Sequence, residues 1–481
     1  MSDNHLKKQR IAKIQSLKEM GIDPFANAFQ RSATFEELQT KHKILPAGES
    51  SEGEVRIAGR IRAIRNSYMF IVLQDHTASI QVFCSKEMQE KLKDFLPLLD
   101  VGDILGVFGN IRRTPRGELT VDASAFQILT KSLATLPEKY HGLEDVETRY
   151  RKRYLDLIMN DEAKKRFLVR SRCIQAIRSW LLEKDFLEVE TPMLHTLAGG
   201  AVAKPFVTHH NTLDCNLYLR IAPELYLKKL IIGGLSDKVF EMNRCFRNEG
   251  VSSRHNPEFT TIELYQAYAN YHDIMDLTEN MMSDVVQKVC GQKEITYQGQ
   301  KISFSSPWKR ISMLDSIQEV TGINFEDHMD LQEAHSAAKS LGVNSLASEW
   351  GKVVADVFDS VVEHTLIQPT HITDLPVAVS PLSKKHPEAP HLTERFETFM
   401  AGFEVANAFS ELSDPIDQLE RFQKKSDGDD HLPDLDFVEA LEYGMPPTGG
   451  MGLGIDRFVM LLSDAPSIRD VIAFPTLKPI K

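Results

Sequence analysis

The sequence predicts an α+β protein of several domains: a helical arm, a small β-barrel, and a large unit in which strands are joined by long helices. Two observations carry this prediction. The 481 residues exceed what one ordinary core encloses, and length alone suggests roughly two to four units. The hydrophobic pattern also changes period along the chain, from helical spacing near the start to short strands between Val55 and Leu129, and then to a mixture with long helical segments.

Residues 1–52 read as a helical arm, because Ile11, Ile14, Leu17 and Lys18 fall at helical spacing before Gly21 and Pro24 interrupt it. Its Lys7, Lys8, Arg10, Lys13 and Lys18 suit either a solvated face or an RNA backbone. Over 53–135 the strands Val55–Ile64, Phe70–Gln74, Ile80–Cys84, Ile104–Ile111 and Leu119–Leu129, with a helix Lys86–Leu98 after the third, fit an OB-fold barrel. Such barrels commonly bind single-stranded nucleic acid. Arg56, Arg60, Arg62 and Arg65, then Arg112, Arg113 and Arg116, put charges for phosphates near Phe70, a ring for base stacking. A linker over 136–150 contains Pro137, and 151–481 forms the large unit, with helices such as Lys164–Lys184 and His272–Cys290 and an exposed acidic loop at Asp427–Asp430. No tandem repeats interrupt it.

With 42% hydrophobic and 26% charged residues and no apolar run near the ~20 residues of a membrane span, the chain reads as soluble, and its N-terminus lacks a secretory stretch. A cytoplasmic location follows as the expectation. Cys84, Cys173, Cys215, Cys245 and Cys290 are scattered singly, so neither disulfide nor zinc is indicated. The net charge of -12 argues against a nonspecific DNA binder; any nucleic acid must meet local basic patches.

No Walker A loop, Gly-x-Ser-x-Gly elbow or His-Glu-x-x-His helix is present, and Gly449–Gly454 lacks dinucleotide spacing. Phe246-Arg247-Asn248-Glu249-Gly250 and Arg254-His255-Asn256-Pro257-Glu258-Phe259 stand out instead. If their strands pair as an antiparallel hairpin, Arg247, Glu249, His255 and Phe259 surround one cavity. Guanidinium for phosphate, ring for base and carboxylate for an exocyclic amine suit a nucleotide.

These blocks resemble motif 2 of the class II aminoacyl-tRNA synthetases. Gly452-Leu453-Gly454-Ile455-Asp456-Arg457 resembles motif 3, and Phe186–Pro192 resembles motif 1, which builds the dimer interface and carries Pro192. The class I signatures are missing. The lysine-specific branch is the nearest match from about residue 55 to the end, through Gly199–Ala201, Arg220–Leu227, Glu263–Tyr265 and Asn407–Leu412. The resemblance implies a catalytic domain built on an antiparallel sheet flanked by helices, and a homodimer that uses ATP and Mg²⁺ to activate L-lysine and attach it to tRNA(Lys).

By the same resemblance Glu224 and the Gly200 backbone hold the α-ammonium, while Glu263, Tyr265 and Glu411 hold the ε-ammonium. Asn407 and Arg247 take the carboxylate, with Phe409 against the stem. Arg247, Glu249, His255, Asn256, Phe259, Glu397, Glu404 and Arg457 form the ATP site, with Arg247 and Arg457 catalytic and Glu397 and Glu404 on Mg²⁺. Taken singly, Glu263 or Glu411 is an ordinary surface acid; inside matched segments the ligand reading prevails. Glu397 and Glu404 are an odd number of residues apart, so on one strand they would face opposite ways, and a shared metal needs a turn or bulge between them. Phe403 stands where relatives often carry Arg or Lys. On the barrel, Phe70 is implied as the stacking platform, Gln81 and Glu118 as readers of the anticodon, and Arg65 as a further contact. Two other readings are a lysyl-transferase paralogue acting on a protein and a noncatalytic nucleic-acid-binding protein; the complete barrel disfavours the first, and intact Arg247, Glu249 and Arg457 the second.

Overall fold

Alternation of side chains decides the first sheet. Along Phe70–Gln74 and Ser79–Phe83 every second residue is buried, so Ile71, Leu73, Ile80 and Val82 fill an interior while Phe70, Gln81 and Phe83 stay on the outer face. With Ser50–Arg65, Ile104–Arg113 and Leu119–Thr130 these strands close into a five-stranded barrel. In this computed structural model residues 2–137, 145–197, 199, 203–426 and 434–480 are described. The chain divides into two compact units, Met1–Glu144 and Asp145–Lys481. Gly200 and the predicted acidic loop at 427–430 lie outside the described residues.

Three expectations are corrected. The segment 1–52 is no separate arm: Leu17 of the helix Ser2–Glu19 and Phe35 and Leu38 of the helix Phe35–Lys41 belong to the barrel's own core, and the first strand begins at Ser50. The helix expected over Lys86–Leu98 ends at Lys91, capped at Leu92, and is followed by a separate 3₁₀ turn, Leu96–Leu98, that carries Pro97 near its start. Residues 146–150, assigned to the linker, instead form with Arg151 a helix of the second unit, where Tyr150 bonds Asp470 at 3.3 Å and Arg151 bonds the Lys478 carbonyl at 2.7 Å.

The second unit is built on an eight-stranded sheet, in the order Lys309–Ser312, Thr370–Thr373, Arg395–Met400, Phe403–Ser410, Thr448–Gly454, Glu258–Ala267, Lys238–Phe246, Leu187–Glu188. Its interior pairings are antiparallel, as expected, but both edge pairings are parallel. Helices Asp161–Leu182, Tyr271–Cys290 and Ile455–Leu462 share one core with Ile262, Leu264, Ala408 and Met451. The second of these helices starts on a reciprocal Asn270/Asp273 cap and stops at Gly291, φ +79°. On the other face the helix Glu224–Ile232 packs Leu225, Leu227 and Ile231 with Tyr265, Phe409 and Phe437. Since alternate residues of a strand face opposite ways, Glu263 and Tyr265 point away from the first core and toward this second one. A buried pair, Arg220 to Glu241 at 2.7 Å, pins the same face. Among the described residues no helix is long and apolar enough to cross a membrane.

Two of the basic residues offered as RNA contacts are used internally. Arg10, buried, donates to the carbonyls of Ser132 and Ala134 at 2.9 Å and of Val101 at 3.0 Å, and Lys13 pairs with Asp100 at 2.8 Å. Arg10→Ala should therefore destabilise the barrel unit by about 1.5–3 kcal/mol, read from its denaturant midpoint; an unchanged midpoint would remove this role.

Candidate active site

Strand register assembles the site. Glu241, Glu263, Gly452, Asn407 and Glu397 stand opposite one another across five neighbouring strands, and Tyr265, Gly450, Phe409 and Arg395 form a second row. The strand Thr448–Gly454 contributes backbone floor at both rows, and its neighbours contribute the side chains. They open into one cavity of about 790 Å³, lined among others by Glu224, Arg247, Glu249, His255, Asn256, Phe259, Glu263, Tyr265, Glu397, Glu404, Asn407, Phe409 and Arg457. The hairpin expected around Arg247 and His255 is present: Lys238–Phe246 pairs with Glu258–Ala267, and the Arg247 amide closes its mouth on the Pro257 carbonyl at 2.8 Å.

At one end lie the acids. Tyr265 Oη donates to Glu263 Oε2 at 3.1 Å, and both are buried. Burial, with Glu224 nearby, pushes the Glu263 carboxyl up to about 8. Glu411 does not line the cavity. It sits behind Gly450, with Oε2 on the ammonium of Lys228, which also reaches Glu224 at 2.5 Å. Burial opposes the charge on Lys228, yet the two glutamates hold its pKa above the ordinary lysine range. Burial likewise drives Glu411 well up, with Lys228 only partly offsetting it. The end as a whole is short of positive charge, and a cationic guest would relieve it.

At the other end lie cations and a ring. Arg247 covers one face of Phe259, guanidinium to ring centre 5.1 Å, and its Nε is buried without a hydrogen-bond partner. Arg457, in the first turn of Ile455–Leu462, bonds Glu404 Oε2 at 3.1 Å and His255 Nε2 at 3.0 Å. Burial and the Arg457 charge hold His255 below the ordinary imidazole range, so it is neutral near pH 7. Asn256 donates to the Glu258 carbonyl at 2.6 Å and keeps a buried, unpartnered Oδ1. Glu249 stays exposed on the loop.

Glu397 and Glu404 share the cavity because a two-residue turn separates their strands. Ala401 at φ +54° and Gly402 at φ +72° make the turn, and a bulge after Thr398 shifts the register. Burial lifts Glu397 to about 7, against the pull of Arg395 and with the push of Glu404 and Asp359. Each carboxylate already holds one arginine, Arg395 on Glu397 at 2.6 Å and Arg457 on Glu404 at 3.1 Å, and the remaining oxygens would suit a hard divalent cation that completes its shell with phosphate and water. Phe403 is buried in the core, and Arg254 lies over its ring at 4.9 Å, so a guanidinium reaches this corner from another strand's loop.

Sequence reasoning missed Lys228, Arg395 and Asp456. Arg395 bonds Asn407 at 2.9 Å and Glu397 at 2.6 Å; Asp456 takes the Thr260 amide at 2.6 Å and pairs with Arg170. Asp456 could have been found from its place beside Arg457 in the third motif. Pro192 is exposed, with its carbonyl 2.9 Å from His195 Nε2. On the barrel, Phe70 and Phe83 lie 5.5 Å apart on the outer face with Arg112 4.6 Å above Phe83. Gln81 bonds Thr120 at 3.0 Å, while Arg65 and Glu118 are exposed.

The profile of the class II tRNA synthetases (D, K and N) matches residues 145–478, and that of the OB-fold nucleic acid binding domain matches 55–129. The chain is 52% identical over 486 residues to a protein of Carboxydothermus hydrogenoformans, covering 99% of this chain and 98% of that one. It is 50% identical to proteins of Nostoc punctiforme, covering 100% and 89%, and of Staphylococcus haemolyticus, covering 98% and 97%. Each of the three is named lysine–tRNA ligase.

The bare floor is testable. A Cβ at Gly450 would collide with Glu411 Oε1 and come within 2.5 Å of the Tyr265 ring, whereas at Gly452 the nearest atom is 3.7 Å away. Gly450→Ala should destabilise the unit by about 1–3 kcal/mol, and Gly452→Ala much less, in parallel thermal melts.

Proposed function

This chain belongs to the class II tRNA synthetases of the D, K and N group, and from that premise we propose that the cavity is where it works as a lysine–tRNA ligase, with the residue roles that follow. Lysine lies with its ε-ammonium toward Glu263 and Tyr265, with Glu411 acting from behind the Gly450 backbone, its α-ammonium on Glu224 and the Gly200 backbone, its stem along Phe409 and its carboxylate toward Asn407 and Arg247. ATP lies at the cationic end, its base on the open face of Phe259 with Glu249 at the exocyclic amine, Asn256 beside it, and its outer phosphates toward His255 and Arg457. The carrying observation is that one cavity joins a buried cluster of carboxylates to arginines beside an aromatic ring.

Activation is then an in-line displacement. A lysine carboxylate oxygen forms a bond to the α-phosphorus, the bond to the β-phosphate bridge breaks, and pyrophosphate leaves with its electron pair. No protein nucleophile takes part. Arg247 neutralises charge on the α-phosphate, and Arg457 neutralises it on the departing pyrophosphate. Glu397 and Glu404 would hold Mg²⁺, which screens the phosphate charge when bound. In the second step the terminal 3′-hydroxyl of tRNA(Lys) attacks the lysyl carbonyl, an ester forms, and AMP leaves.

The barrel supplies the anticodon site, with Phe70 as the stacking platform, Gln81 and Glu118 reading base edges, and Arg65 beside them. Support comes from the shared outer face of Phe70, Gln81 and Phe83. A cytoplasmic homodimer is the accompanying proposal, its interface near Pro192, where Leu187, Met193, Leu194 and Val207 are exposed.

Lysine-dependent ATP–pyrophosphate exchange tests the central reading. Glu411→Gln should abolish exchange while ATP binding persists; unchanged exchange would refute the assignment. Phe70→Ala should lower tRNA charging by about 10- to 100-fold, in line with the loss of one stacked base, and leave lysine activation intact; equal loss of both would refute the barrel's role. For the interface, Leu194→Asp with Val207→Asp should convert a dimer to a monomer in sedimentation equilibrium.

A further inference from the structure

The amino-acid end of the cavity holds a group that no substrate contact requires. Lys228 lies one helical turn after Glu224, is fully buried, and stands outside the cavity lining. Its ammonium contacts two carboxylates, Glu224 at 2.5 Å and Glu411, beneath the rings of Phe409 at 5.2 Å, Phe437 at 5.8 Å and Tyr265 at 5.9 Å. A plain structural ion pair needs one acid for one base, and buried pairs of that kind are often replaceable by apolar residues at no cost in stability. Here one ammonium serves two acids, and a third, Glu263, lies beside them. Glu411 Oε2 forms an ion pair with Lys228, whereas Oε1, equally buried, has neither ion pair nor hydrogen bond and faces the bare backbone of Gly450, which is part of the cavity wall.

We propose that Lys228 is a positioning residue that sets amino-acid selectivity: its ammonium ties Glu411 to Glu224, holds the free oxygen of Glu411 against the bare backbone of Gly450 in the cavity wall, and is the one fixed cation among three acids, so that the substrate's ammonium groups complete the charge. The inference rests on the reading of this cavity as the lysine site. The titratable and charged groups facing Glu411 are Lys228 and Glu224 from the helix and Glu263 and Tyr265 from the strand Glu258–Ala267. Burial drives the Glu411 carboxyl up and Lys228 is the cation that opposes this, so without Lys228 the carboxyl is harder to ionise before it can take an ammonium.

The test uses the full-length chain with Lys228→Met, which keeps an unbranched apolar stem, in lysine-dependent ATP–pyrophosphate exchange from pH 7 to 9. At pH 7.5 the lysine KM should rise about 100-fold, the scale of a buried carboxylate left without its partner, while the ATP KM stays within about twofold, as expected for groups outside the nucleotide end. The ratio of variant to wild-type lysine KM, which cancels the titration of free lysine, should fall as pH rises. A ratio of one overturns the proposal. So does a ratio that is flat with pH and matched by an equal rise in ATP KM, the pattern of simple structural damage. If the variant does not fold, calorimetry of lysine binding to the wild-type chain at pH 7.5, in buffers of different ionisation heat, decides. Release of no more than one proton, from Glu263, supports a Glu411 already ionised by Lys228; release of two overturns it. Glu263→Gln separates the two levels. If it raises the lysine KM and Lys228→Met does not, only the present inference fails; if it leaves the lysine KM unchanged, the lysine site itself is misplaced.

Discussion

Backbone register across the strands 258–267, 448–454, 403–410 and 395–400 is the constraint on which the rest of this molecule depends. Hydrogen-bonded pairing places Glu263, Gly452, Asn407 and Glu397 in one row and Tyr265, Gly450, Phe409 and Arg395 in the next. A slip of one residue in any strand would turn its polar members into the core of Ile262, Leu264, Ala408 and Met451. The apolar core on one face therefore enforces the polar site on the other, and the two cannot be separated energetically.

The same geometry explains how unlike charges coexist at short range. Acids cluster where the helix Glu224–Ile232 meets the sheet, and guanidiniums cluster where the loop after Phe246 meets the helix starting at Ile455. Arg395 stands between, bonded to Asn407 and Glu397, so the boundary is itself hydrogen-bonded. Burial raises the cost of every unmatched charge on either side, so a guest with the complementary pattern would be favoured over others.

Much of this was legible in the amino-acid order because the relevant signals are local. The barrel strands announce themselves by period-two burial, and their ends were read to within a few residues except at Ser50, where the first strand runs on past the apolar stretch. The hairpin carrying Arg247 and His255 was legible for the same reason. What escaped was long-range. Lys228 precedes another lysine and looks like any solvated base until Glu411, far along the chain, is folded against it. Arg220 hides from sequence in the same way, since only the fold buries it with Glu241. The parallel edge pairings involve strands of two and four residues, too short for a period to show.

Arginines on the barrel have a less obvious consequence. Arg60 is committed to the Gly102 carbonyl, Arg113 to the carbonyls of Leu45, His42 and Gly117, and Arg112 to Asp122 and the Phe83 ring. Of these three only Arg112 has its charge met by a carboxylate, and it would displace few condensed counterions from a polynucleotide. At the proposed anticodon site, ring overlap and shape would then carry part of the adhesion, and the exposed Arg56, Arg65 and Arg116 would set how steeply it falls as ionic strength rises.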